Sequence, residues 1–433
     1  MNTSPALNDL ITFARQHSEY YAKHLREVAP GVCTLSELPV VDPQQYWQTS
    51  LNLDQWPVLT APVGPALVFK TGGTTSAGKL SVFTREEWQT LVKDFGSQLT
   101  SQLGRGDRVA NLFFVGDLYA SFVFIHDALA HETAGVTEYP FTGHVEFGVL
   151  ADSILQHRIN VLAGVPAHLL SFADWLQSRS RVLDGIDTLL YGGESLFETQ
   201  LQLLRRVFPN ARFASIGYAS VDAGFIGATA RDCALGEHRM LERHSVLEIL
   251  DEQTGEVIDA CGVTGRLVVT NLTRRLMPLI RYPVGDLACW QEPATAPMRQ
   301  FALRGRCATS SRVRVASLTL MTDDIAAIVQ RLTGSDDWQL VIDQADNRDV
   351  LTVKWRVDVT TADARSVSAA LRAALIEHQP QIAQLAAEHR LDLLVDGCSA
   401  EDLARHPRSG KRQRVQDLRR YDAPDLEQRP WTR

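Results

Sequence analysis

Missing from this chain are the features by which several function classes announce themselves. Its six cysteines, Cys33, Cys233, Cys261, Cys289, Cys307 and Cys398, form no C-x-x-C pair and have no histidine spacing suited to zinc, so neither a metal finger nor a disulfide framework is expected. Free thiols in a reducing cytosol are the simplest account. No excess of positive charge is available. The 43 basic and 51 acidic residues leave a net charge of -8, whereas a general nucleic-acid binder needs a basic surface to neutralise phosphates. No run is apolar and long enough to span a membrane, and the opening MNTSPALNDLITFARQHSEYY lacks the charged head and apolar run of a secretion signal. A cytoplasmic protein with neither nucleic acid nor membrane as partner is the expectation. What is present is an ordinary globular composition, 45% hydrophobic and 22% charged over 433 residues, long enough for two or three domains.

Residues 69–83, FKTGGTTSAGKLSVF, carry the strongest local signal. Gly73 to Lys79 satisfies G-x-x-x-x-G-K, the spacing of a nucleotide P-loop. Its context argues otherwise. A P-loop places Ser or Thr after the lysine and opens a helix, but here Leu80 follows and the run to Phe83 is β-prone. A helix is expected only from Thr84, which with Glu87 makes the capping pattern T-x-x-E. The loop is then a hairpin turn between two strands. Such a turn can wrap a triphosphate, because glycine lets backbone N–H groups approach and hydroxyls donate to phosphate oxygens. From these residues alone, an ordinary Gly/Ser/Thr turn reads equally well.

Further along, apolar runs alternate with helix-like segments. Val109–Phe114, Ile159–Leu162, Ile186–Tyr191 and Arg212–Ile216 lead into turns at Gly116, Gly164-Val165-Pro166, Gly192-Gly193 and Gly217-Tyr218. That alternation predicts a largely parallel, doubly wound α/β core. Ligands of such folds gather at the loops after the strand C-terminal ends. Beyond about residue 240 strands and turns take over, with SVLEILDEQTGEVI read as a hairpin and GRLVVTNL as a further strand. After Arg306 the pattern changes again. Leu351, Val353, Trp355, Val357 and Val359 alternate with polar residues as in a strand buried on one face, followed by helices over 361–377 and 381–390 and a strand LDLLVDG. The expected architecture is α/β: a large N-terminal region (1–305) with doubly wound sheets and a β-rich subdomain, then a small mobile α+β C-terminal domain (306–433). The basic run Arg405–Arg420 would by itself be a solvated tail.

Five stretches, in the order TGGTTSAGK, YGGES, GYASVDAG, MPLIRYPVGDL and RSGKRQRV, resemble the adenylate-forming (acyl-CoA synthetase) superfamily, in particular its phenylacetate–CoA ligase-like branch. The likeness covers nearly the whole chain. Its most specific part is LDEQTGEVIDACGVTGRLVVTNLTRRLMPLIRYPVGDLA. The resemblance implies an ATP- and Mg²⁺-dependent ligase in which a carboxylate attacks the α-phosphorus and pyrophosphate leaves. Such a site must hold a triphosphate and stabilise extra negative charge in flight.

By the same resemblance, Thr71, Gly72, Gly73, Thr74, Thr75 and Ser76 wrap the β- and γ-phosphates. Gly192, Gly193 and Glu194 form the adenine-side turn, and Ser215, Ile216 and Gly217 lead to Tyr218 alongside the adenine. Asp286 accepts the ribose hydroxyls, a task suited to an ionised two-oxygen acceptor, and Arg306 adds a ribose or phosphate contact. Asp222 holds Mg²⁺, and Lys411 is the mobile catalytic lysine that bridges the carboxylate and the α-phosphate. Without the resemblance, YGGES reads as a strand-to-helix turn, Asp286 as a turn aspartate and Arg306 as a surface arginine. The implied substrate is an aryl or arylacetic acid. Phe114, Tyr119, Phe147, His168 and Phe172, with Gly192, are the candidates to line its pocket, although each alone reads as core. The likeness extends to the adenylating enzymes of phenazine antibiotic pathways, which implies a phenazine carboxylate.

The chain also departs from its relatives. Asp222 is one methylene shorter than the family's Glu, and Val221 replaces a hydroxyl residue near the α-phosphate. Loss of such a donor costs on the order of 10²-fold in rate, so slow adenylation is expected. Cys307-Ala308-Thr309 and Arg314-Val315 stand where the family has its hinge residue and an R-G loop. Val315 cannot take glycine-only backbone angles. The expectation is weakened or lost CoA transfer, with CoA, a carrier protein, a reductase or an amine left open as acceptor, and a homodimer as candidate assembly. A full aryl–CoA ligase, a degenerate ligand-binding relative and a P-loop kinase or ATPase are the rival readings.

Overall fold

The computed structural model describes residues 5–29, 31, 34–71, 79–307, 312–316, 318–345, 348–357, 361–399, 401–404 and 414–419. Strands Ala66–Thr71 and Lys79–Thr84 pair antiparallel, with Thr71 opposite Lys79, so the Gly-rich stretch joins two strands, as Leu80 and the β-prone run required. The stretch 72–78 itself lies outside the described residues. Thr84 then caps the helix Arg85–Leu99. Its Oγ1 accepts from the Glu87 N–H at 3.1 Å, and the Glu87 carboxylate accepts from the Thr84 N–H at 2.9 Å.

Five parallel strands follow, in the spatial order Thr137–Pro140, Arg108–Asn111, Val161–Gly164, Thr188–Tyr191, Arg212–Ser215. Val161–Gly164 and Thr188–Tyr191 are buried at every position, as expected where helices cover both faces of a parallel sheet. Successive connections leave Arg108–Asn111 in opposite directions. This switch point opens a crevice at the strand C-terminal ends, the usual ligand position in such sheets.

Seven antiparallel strands make a second sheet, in the order Ser245–Leu250, Gly265–Asn271, Leu279–Trp290, Gln300–Arg306, Glu237–Met240, Gly224–Ala228, Tyr218–Ser220. Leu7, Leu10 and Ile11 of the opening helix Pro5–His17 belong to the same buried cluster as Leu247, Ile249 and Val269 of this sheet. The hairpin expected within SVLEILDEQTGEVI is present in short form: the Asp251 N–H donates to the Glu256 carbonyl at 2.9 Å, the Ile258 N–H to the Ile249 carbonyl at 2.7 Å, and Val257 bridges Leu250, while Ser245–Leu250 pairs along its length with Gly265–Asn271. Residues 252–257 are exposed, whereas Leu267, Val268 and Val269 are fully buried, so the longer ladder forms with the apolar segment. The strand Leu279–Trp290 runs without a break through RYPVGDL and sets Asp286 opposite Arg306 in the ladder.

The C-terminal part builds a mixed four-stranded sheet, in the order Leu391–Cys398, Arg348–Arg356, Trp338–Ala345, Val415–Asp417, preceded by the hairpin Arg312–Val315/Leu318–Met321. Leu351, Val353 and Trp355 are buried and their neighbours half-buried, the alternation read from sequence. Helices Thr361–His378 and Gln381–Ala387 lie where helical segments were expected. Among the described residues no helix is long and apolar enough to cross a membrane, and five cysteines carry free thiols.

Candidate active site

A cleft of about 330 Å³ opens at the crevice of the parallel sheet. Every strand-end loop on one side of the switch point contributes to it: Val165 to Ala167, Gly192 to Glu194, and Ile216 to Tyr218. The seven-stranded sheet adds Asp222, Asp286 and Arg306, and the C-terminal part adds Arg314, Asp349 and Arg390. Three regions of the wall differ in chemistry.

The first is polar and built across the seven-stranded sheet. The Tyr218 hydroxyl donates to Asp286 Oδ2, and Arg306 Nη1 lies 2.9 Å from Asp286 Oδ1. Burial, then the adjacent Asp286 charge, pushes the Tyr218 phenol well above its usual range, so it stays protonated and can donate. Ser215 Oγ lies 3.1 Å from His238 Nε2 and accepts from the Gly217 N–H at 3.2 Å. Burial drives His238 down to about 4, which leaves a neutral ring 5.5 Å from that of Tyr218. Glycine is required twice. A Cβ on Gly192 would come within 2.6 Å of Ile216, and Gly217 combines φ +136 with only 2.7 Å to the Phe95 ring.

Asp222 is 4% exposed. Its Oδ1 accepts from Ser220 Oγ at 2.6 Å and its Oδ2 from the Tyr282 hydroxyl at 3.2 Å. Tyr282 accepts in turn from Trp47 Nε1 at 2.9 Å, so the carboxylate is fixed by a buried relay of donors. The neighbouring Val221 packs into the cluster of Phe69, Phe83 and Trp88. Its missing hydroxyl is thus matched by an apolar surrounding.

The second region is apolar: Phe69, Trp88, Phe95, Phe113, Phe124 and Ile125 line a chamber, with Tyr119 at its edge. Phe114 and His168, expected in this lining, do not contribute to it. Phe114 stands edge-on to His144 and His168, at 5.1 and 5.7 Å, and His168 meets Phe147, which packs on Phe172. Helical phase explains the difference. Pro166, Leu170 and Asp174, four residues apart, share the cleft face of the helix Pro166–Ser178, while His168 and Phe172 fall on another face. Burial takes His168 down to about 4. Trp88, Phe95 and Phe124 were missed because a stripe such as Trp88, Leu91, Val92, Phe95 reads as ordinary core.

The third region carries alternating charge. Glu194 Oε1 lies 3.2 Å from Arg314 Nη2, and its Oε2 accepts from the Ala167 N–H at 3.2 Å. Burial raises the Glu194 carboxyl, and Arg314 and Arg390 oppose that shift. Arg314 belongs to the hairpin Arg312–Val315, so the C-terminal part reaches directly into the YGGES turn. The argument from Val315 needs correcting. Its side chain is fully buried beside Val313 and Leu318, and the positive φ falls one residue later, at Ala316 (φ 49). Lys79 Nζ stands 5.5 Å from the Trp47 ring centroid. Gly72 to Ser76 and Lys411 lie outside the described residues, as does the Thr71 side chain.

The model of the AMP-binding enzyme family matches residues 10–273. The chain belongs to the AMP-binding enzyme family. A phenylacetate-coenzyme A ligase of Aromatoleum evansii is 25% identical over 301 residues, 68% of this chain and 66% of that relative. An indoleacetate–lysine synthetase of Pseudomonas savastanoi is 28% identical over 188 residues, 42% of each chain. The matches therefore span just under two thirds and about two fifths of these relatives' lengths. Among solved structures, a 2-hydroxyisobutyryl-CoA ligase in complex with 2-HIB-AMP and CoA has the same fold, with TM-score 0.71 and 17% identity over 96% of this chain and 88% of that one. Sequence relatives and fold together place this AMP-binding family member in the adenylate-forming superfamily.

Proposed function

We propose that the protein uses ATP to activate an aromatic carboxylic acid as its acyl-adenylate, releasing pyrophosphate. The observation that carries this reading is a single cleft in which Tyr218, Asp286 and Arg306 stand beside an aromatic chamber. Asp286 accepts the ribose hydroxyls, Tyr218 and the glycine turns bound the adenine, and Thr71 to Ser76 wrap the outer phosphates. A Mg²⁺ bound largely by phosphates needs only one or two protein carboxylates. Asp222, fixed at the cleft wall, fits that need, and the ion would neutralise charge on the phosphates. Lys411, carried by a mobile lid over 306–433, bridges the carboxylate and the α-phosphate. The chamber walls stack on a flat ring and exclude water from the reacting carboxylate.

Transfer to CoA is weakened in this reading. Its support is narrower than the sequence suggested: it rests on Arg314 engaging Glu194 at the cleft, not on strain at Val315. A full aryl–CoA ligase is the second reading, favoured by the relaxed placement of Val315 and by the phenylacetate-coenzyme A ligase relative. Both act in the cytosol. ATP–pyrophosphate exchange over a panel of aromatic acids, phenazine carboxylates included, is the test. Acid-dependent exchange is expected and should vanish in Lys411→Ala. Acid binding without exchange in the unaltered protein would identify a degenerate binder, and normal exchange in the variant would remove Lys411 from its role.

A further inference from the structure

Asp222 stands on a turn whose backbone is held at every step. Three successive carbonyls there each accept from a buried side chain: Val221 from Ser81 Oγ at 2.7 Å, Asp222 from Arg274 Nη1, and Ala223 from Asn271 Nδ2 at 2.8 Å. Asn271 and Arg274 are joined as well, the Arg274 N–H donating to Asn271 Oδ1 at 3.1 Å. Arg274 is the centre of the group. Its Nη2 donates to Ser81 Oγ at 3.3 Å and to the Val82 carbonyl, and its Cζ lies 3.8 Å from the Phe83 ring centroid. One guanidinium thus ties the Asp222 turn to the strand Lys79–Thr84, which leaves the Gly-rich stretch.

These contacts are not those of a stabilising ion pair. Arg274 is only 1% exposed, yet the polar contacts of its guanidinium among the described residues are to uncharged atoms: two carbonyls, a hydroxyl and the Met277 thioether. A charge buried this way stabilises a fold less than an apolar side chain of similar volume. What a planar guanidinium does supply is fixed direction, because its fork holds two acceptors at once at a set separation. Direction matters at Asp222. An aspartate carboxylate sits on a single methylene, so its place is set by the backbone that carries it, and Ser220 and Tyr282 then fix its rotation.

We infer that Arg274 is the positioning residue for the metal-binding carboxylate: it sets where Asp222 stands relative to the strand after the Gly-rich stretch, and so where a Mg²⁺ carried by the phosphates of ATP meets the protein. Asp222 lines the cleft, whereas Arg274 lies behind it and acts only through the turn. The inference rests on the adenylation proposed above.

Calorimetric titration of ATP with and without Mg²⁺ measures the metal's enhancement of nucleotide affinity, and pyrophosphate exchange with an accepted acid is followed beside it. Arg274→Lys, which keeps the charge but loses the fork, should lower that enhancement about tenfold to a hundredfold, the range for a residue that orients a metal ligand. Ser81→Ala, which removes one hydroxyl, should lower it about threefold to tenfold, and it decides the matter if the lysine variant does not fold. Affinity for metal-free ATP and the KM for the acid should stay unchanged in both. In an Asp222→Asn background neither substitution should reduce the enhancement further, because residues that act through one another are not additive; a merely structural arginine would add its full cost there. Unchanged enhancement in both variants, full additivity with Asp222→Asn, or an equal loss of affinity for metal-free ATP overturns the inference. Absence of both exchange and Mg²⁺ enhancement in the unaltered protein would instead overturn the adenylation reading, and the inference with it.

Discussion

At the scale of single residues, the site depends on how buried polar groups are satisfied. Asp286 illustrates this: from sequence it is a turn aspartate, but in the sheet it holds both the Tyr218 hydroxyl and Arg306. Its proposed ribose role predicts that Asp286→Asn, which keeps the shape and removes the charge, raises the KM for ATP. A charged hydrogen bond contributes roughly 1.5–3 kcal/mol, so about a tenfold to hundredfold rise is expected in exchange assays run against ATP concentration. An unchanged KM would remove Asp286 from the nucleotide site. Tyr218→Phe should have a smaller effect, because Arg306 still pairs with the carboxylate.

At the scale of elements, the expected strand–turn–strand–helix around the Gly-rich stretch is present, and its anchor is the Thr84–Glu87 box. Glu87 does more than cap. Its Oε1 also accepts from the Arg275 and Leu276 N–H groups, at 2.7 and 2.8 Å, tying this helix to the segment before the strand Leu279–Trp290. Thr84→Ala should therefore cost about 1 kcal/mol in urea unfolding, whereas Thr84→Ser should restore most of it. Equal stability of the Ala and Ser variants would show that the box contributes nothing. Elsewhere the pairing extends beyond the local pattern. The turn after Leu250 closes a short hairpin, but Ser245–Leu250 forms its full ladder with Gly265–Asn271, a partner that local turn signals do not reveal.

For the whole molecule, acid sensitivity follows from two buried histidines. His168 and His238 both titrate at about 4, burial being the main cause, against roughly 6.5 in an unfolded chain. As pH falls from 6.5 towards 4, the unfolded state takes up protons that the folded state refuses. Stability is therefore lost across that window and retained above it. At pH 5 each histidine accounts for a loss on the order of 2 kcal/mol relative to neutral pH. The thermal midpoint should fall between pH 7.5 and 5, and His168→Leu should fall less. A midpoint that is flat over this range would contradict the burial of both rings as neutral groups.

Much of this protein was legible in its sequence because the deciding physics is local. Leu80 after Lys79 excluded a P-loop, Thr84 with Glu87 started a helix, and the apolar runs ending at Gly164, Gly192 and Gly217 marked strand ends where a parallel sheet must open its crevice. The order of motifs sufficed for the superfamily. What the chain alone left undecided was which side chains face the cleft. That choice depends on helix phase and on partners hundreds of residues away: Pro166, Leu170 and Asp174 turn towards the cleft while His168 turns away, and Arg314 reaches Glu194 across 120 positions. Charges such as Glu194 and Arg314 acquire meaning only when tertiary packing draws them out of water and brings them together at one cavity.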